Sequence, residues 1–106
     1  MAKVFVANFA GHNISDAKRF GEIINVTEGN INVFEPDRVM YNILKVFKEN
    51  KYDPEIDYIV LSGSKVINFL IGLLCQKARI LIWDPNEKQY EERIVEYDQF
   101  QVRYFD

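Results

Sequence analysis

The chain of 106 residues has one cysteine, Cys75, and one histidine, His12. A single thiol excludes an intrachain disulfide framework and a cysteine metal cluster. Cys75 is therefore expected as a small core residue in a reducing compartment. One histidine, with no HxxxH or CxxC pairing, leaves no metal or cofactor site to expect. Long apolar runs are also missing: "VINFLIGLLCQ" (66–76) is too short to span a bilayer. The opening "MAKVFV" lacks the layout of a signal peptide, so no membrane association is expected and the expected location is cytoplasmic. Basic excess is absent too. Thirteen Lys/Arg against sixteen Asp/Glu give a net charge of −3, which argues against nucleic acid as a partner.

What is present is the composition of a folded domain, 48% hydrophobic, 14% aromatic and 27% charged. The length fits a single domain over 1–106 with a real core. Charge is unevenly spread. Residues 1–83 hold ten Lys/Arg against nine Asp/Glu, and residues 84–106 hold three against seven. That acidic end suits solubility or a basic protein partner.

Strand-like and helix-like segments alternate. "KVFVANF" (3–9) and "IDYIVL" (56–61) are apolar runs of the kind that a sheet covered on both faces requires, and "RILIW" (79–83) reads as a third buried strand. "DAKRFGE" (16–22) reads as a short helix capped by Ser15 or Asp16, with Ala17 and Phe20 inward. "IINVT" (23–27) is a second strand, and Gly29 in the turn after it is free to take positive φ. "INVFE" (31–35) is either a strand hairpinned onto 23–27 or an extended lead-in. Pro36 suits the first turn of a helix. Its apolar stripe is Val39, Met40, Ile43, Leu44 and Phe47, with Lys45, Lys48 and Glu49 on the solvated side.

The spacing predicts a second helix over about 65–77, apolar around most of its circumference, which places it centrally or under a partner chain. "DPNEKQ" (84–89) carries turn chemistry before a returning antiparallel strand, 90–97. Phe100, Val102 and Tyr104 then alternate with polar residues, which predicts an edge strand or one that pairs with a second copy. The expected fold is α/β: a three-layer Rossmann-like domain whose mainly parallel sheet ends in a C-terminal antiparallel hairpin.

In such sheets, ligands bind beyond the carboxyl ends of the strands, where strand order reverses. Two loops meet there if 3–9 and 56–61 are neighbours. The first offers Asn8, His12, Asn13 and Ser15. The second offers Ser62, Gly63, Ser64 and Lys65, with Asn68 one turn into the helix. These nine are the candidate ligand-binding residues. A glycine between serines at a helix start turns backbone N–H groups toward an anion. The same hydroxyls also cap those N–H groups internally. No GxxxxGK[ST], GxGxxG or GxSxG exists, so neither a P-loop, a dinucleotide fingerprint nor a nucleophile elbow is available. No catalytic residue is assigned.

"FAGHNISDAKRFGEIINVTEG", together with "DYIVLSGSKVIN", resembles small uncharacterised proteins of tailed bacteriophages, over about residues 4–93. The resemblance implies a viral origin, a bacterial host cytoplasm, and a role directed at host machinery or a small signalling molecule. Three functions are carried forward. The first is an interaction module that binds a host protein or itself, through the C-terminal strand or helix 65–77. The second is a binder of a nucleotide or other phosphate-bearing molecule at the two loops. The third is a small hydrolase or transferase that uses His12.

Overall fold

The computed structural model describes residues 1–98, so the strand expected over 99–105 lies outside the described residues. Five strands form one mixed sheet in the order β2-β1-β3-β4-β5. They are β1 (Lys3–Val6), β2 (Glu22–Asn25), β3 (Tyr58–Val60), β4 (Lys77–Asp84) and β5 (Gln89–Glu96). The first four are mutually parallel, and β5 runs antiparallel to β4 across eight register pairs, Lys77↔Glu96 to Asp84↔Gln89. Strand order reverses between β1 and β3.

Period-two alternation in the strands sorts the core into two clusters. Phe5, Ala7, Ile59 and Ala78 face α1 (Pro36–Glu49) and α2 (Lys65–Leu74), meeting Val39, Ile43 and Phe47 from the first and Ile67, Leu70 and Ile71 from the second. Both helices therefore lie on one face. Val4, Val6, Val60 and Leu81 point to the other face, where the cover is a 3₁₀ helix, Ser15–Phe20, contributing Ala17 and Phe20. That face holds a 3₁₀ helix of six residues where a full layer was expected.

The hairpin compensates. Tyr90 packs with Val4, Val6 and Ala17, so the far end of β4–β5 curls over the 3₁₀ side. A clamp fixes the curl: the Tyr90 N–H donates to Asp16 Oδ2 at 2.7 Å, and Arg19 Nη2 donates to the Tyr90 carbonyl at 2.6 Å. This use of Asp16 corrects the expected cap. Ile14 occupies the cap position without a side-chain bond, and Asn13 Oδ1 takes the Ser15 N–H at 2.9 Å. The Tyr90 N–H, followed by the Arg19 charge, holds the Asp16 carboxyl below its ordinary pKa.

α1 follows its sequence pattern. Pro36 sits in its first turn, and Asn50 closes it by donating from Nδ2 to the Val46 carbonyl at 2.8 Å. Val39, Ile43 and Phe47 are buried, whereas Leu44, expected on the stripe, is exposed. Phe47, Phe5 and Tyr52 form an aromatic cluster with centroids 4.8–5.2 Å apart. Residues 31–35 form no strand and lead into α1, which decides between the two readings of "INVFE".

"RILIW" also differs from expectation. β4 is longer than that run, and Ile82 and Trp83 are nearly half exposed because no helix follows to cover its far end. α2 stops at Leu74, three residues short of the expected limit, since β4 begins at Lys77.

At the amino ends of β1 and β3, Asp57 is fully buried within an otherwise apolar run. It accepts from the backbone N–H groups of Lys3 and Asp53 at 2.9 Å each and pairs with Lys3 Nζ at 3.4 Å. A buried carboxylate is stable only with such partners.

Candidate functional site

β1 and β3 are hydrogen-bonded parallel neighbours, so the segments leaving them emerge side by side at the carboxyl rim. Asn8, 4% exposed, is the hub of that rim. Its Oδ1 accepts the Ser64 N–H at 3.0 Å, and its Nδ2 donates to Thr27 Oγ1 and to the Gly29 carbonyl, both at 3.0 Å. Ser62 Oγ donates to the Asn8 carbonyl at 3.0 Å and accepts the Asn8 N–H at 3.4 Å.

Gly63 completes the lock. Its φ is +66°, and a Cβ built there would overlap Asn8 Oδ1, Cβ and Cγ. Only glycine allows both the left-handed conformation and that closeness.

Asn68 reaches back from the first turn of α2. Its Oδ1 accepts the Ser62 N–H at 3.2 Å, and its Nδ2 donates to the carbonyls of Ser62 and Ser64 at 2.7 and 2.6 Å. Ser64 caps α2 by accepting the Ile67 N–H on Oγ at 3.4 Å. Five of the nine candidate residues, Asn8, Ser62, Gly63, Ser64 and Asn68, are thus brought together, with their side-chain polar groups engaged with one another or with backbone.

The other four stand apart from this network. His12 packs at 5.5 Å from the Phe9 ring, with Nε2 buried and unpartnered. Asn13 bonds the Ser15 backbone, and Ser15 and Lys65 are exposed. Asp84, at the end of β4, accepts the N–H groups of Asn86 and Glu87 and shapes the hairpin turn. Among the described residues no group of His, Cys, Asp and Glu is placed to hold a metal ion.

A second candidate lies beside α2, on the helix-covered face. A groove of about 510 Å³ opens between that helix and the sheet, lined by Leu61, Phe69, Gly72, Cys75, Ile80 and Val95 among others. Phe69 is 66% exposed and Leu73 62%, with Val66 and Leu61 partly exposed nearby. Cys75 is half-buried here, and burial raises its thiol pKa, which makes it a weak nucleophile. Burial likewise pushes the Tyr52 phenol well above its ordinary range. The apolar circumference of 66–76 announced this surface in the sequence. Gly72 on this surface has neither positive φ nor, among the described residues, any atom within 4 Å of a built Cβ.

The architecture defines a small mixed α/β domain with a self-bonded polar rim and an open apolar groove. Among the described residues no helix is long and apolar enough to cross a membrane. The family model for Phage Pam3 gp32-like protein matches residues 2–98, and the chain belongs to that phage protein family. No curated protein and no solved structure matches it.

Proposed function

We propose that this phage protein is a protein-binding module of the host cytoplasm that engages a host protein or a second copy through the exposed side of α2 and the groove beside it. The observation that carries the reading is the exposure of Phe69 and Leu73 on a helix whose ten residues include one charge, Lys65. Contiguous apolar surface of this kind marks an interaction site when nothing in the fold covers it. The strand order, reversing between β1 and β3, supports reading the domain as a pared-down Rossmann-like sheet whose rim has become structural. The bonds among Asn8, Ser62, Ser64 and Asn68 favour capping over an anion site, since these side chains and the N–H groups of Ser62, Ser64 and Ile67 already have partners.

The test compares the wild type with Phe69→Asp/Leu73→Asp, alone and mixed with extract of infected host cells, by light scattering and mass spectrometry. The wild type should carry a stoichiometric companion, either a second copy or a host protein, that the variant loses while its circular dichroism is unchanged. A companionless wild-type monomer, or a variant that keeps its companion, defeats the reading.

A further inference from the structure

We infer that the groove's occupant is a second copy of this chain, with the two α2 helices antiparallel about a two-fold axis and Phe69 of each copy seated over Gly72 of the other. The inference rests on the protein-binding reading above and names the partner.

Gly72 supplies the first argument. A glycine inside a helix is disfavoured relative to alanine. Among the described residues neither conformation nor crowding requires it here, because its φ is not positive and a Cβ would meet nothing of them within 4 Å. A notch without a cause among the described residues, on the exposed side of a helix and lining the groove, fits close approach from outside. Phe69 lies one turn before it on the same side and projects into solvent. A two-fold contact is self-complementary, so a knob and a notch three residues apart on one helix satisfy each other twice.

Charge points the same way. Two copies of a chain with net charge −3 repel unless they meet on a neutral patch. The side of α2 that carries Val66, Phe69, Gly72 and Leu73 has no acidic residue. Antiparallel pairing also brings the Lys65 end of one α2 toward the Leu74 end of the other. That end of α2 is negative by its dipole, and it adjoins the exposed Asp98: the N–H of Tyr97, the preceding residue, donates to the Gln76 carbonyl at 2.6 Å. Each copy therefore offers a cation where its partner offers negative charge.

Area is sufficient. The exposed parts of Leu61, Val66, Phe69, Leu73 and Val95 amount to roughly 500 Å² per copy, given the size of large apolar side chains. Buried in full on both copies, these side chains alone reach the roughly 1,000 Å² lower bound of a specific interface, before polar and backbone contacts are added.

Sedimentation velocity and light scattering across a concentration series, on the full chain, test the pairing. The wild type should be a reversible dimer. Phe69→Asp and Gly72→Leu should each weaken association by at least about tenfold while circular dichroism stays unchanged. Gly72→Leu is the sharper variant: it adds apolar surface and improves helix propensity, so nonspecific stickiness predicts the opposite result. A dimer indifferent to both substitutions overturns the inference. So does a wild-type monomer at millimolar concentration, with the groove taken by residues 99–106 or by a host protein. A monomer whose host companion is lost in Phe69→Asp/Leu73→Asp overturns this pairing and leaves the protein-binding reading standing.

Discussion

The carboxyl rim and the α2 groove use opposite chemistry to opposite ends. The rim is rich in Asn and Ser, the residue types that commonly bind ligands, yet those side chains bond one another and the backbone around Asn8. The groove has few polar groups, and its apolar side chains stay open to solvent. Polar residues at a sheet's switch point can be consumed in building it, and the surface left for a partner is then the one that the fold did not cover.

The largest expected effect breaks the rim. Asn8→Ala removes the acceptor of the Ser64 N–H and both donors of the amide within a buried setting, and should cost about 3 kcal/mol of unfolding free energy, read by urea titration. Gly63→Ala should cost nearly as much, about 2–3 kcal/mol, through left-handed strain together with the clash against Asn8. The two sites should couple. In an Asn8→Ala background the overlaps with Oδ1 and Cγ are gone and the one with Cβ remains, so the glycine substitution should cost less than in the wild type, about 1–2 kcal/mol, and strict additivity would show that the Asn8 amide does not hold Gly63.

Smaller still is the acid response of the hairpin clamp. The folded-state pKa of Asp16 lies below the ordinary aspartate value, so its stabilisation is present above that ordinary value and is lost as pH falls through the folded one. Amide exchange at Tyr90 should accelerate there in the wild type, and Asp16→Asn should flatten that acid response. An identical response in both would remove Asp16 from the clamp. The smallest effect expected is none: inorganic phosphate or nucleotides should leave the melting midpoint unmoved. Because saturation at a hundredfold Kd adds about 2.7 kcal/mol, an upward shift would restore the rim as a ligand site.

Much of this fold was legible in the sequence because it follows local periodicity. The apolar stripe of α1, Pro36 at its start, the strands on either side of it and the returning hairpin all follow side-chain spacing within one segment. The parts that were not legible depend on distant partners. Asp16 looks like a cap until Tyr90, far along the chain, takes its carboxylate. "RILIW" reads as buried until the fold leaves its last residues uncovered. For the candidate site, the sequence located the five rim residues and the apolar helix. It did not show that the rim residues bond one another, since Asn8 and Ser64 meet only across adjacent strands.

The Asp16–Arg19 clamp on Tyr90 has one more consequence. Among the described residues β5 ends the sheet, and an unguarded margin of that kind recruits foreign strands and seeds fibre growth. Here the outward amide and carbonyl of Tyr90 are already taken by a carboxylate and a guanidinium. An incoming strand would have to strip away two charged side chains to pair at that point, so lateral polymerisation along β5 is obstructed there.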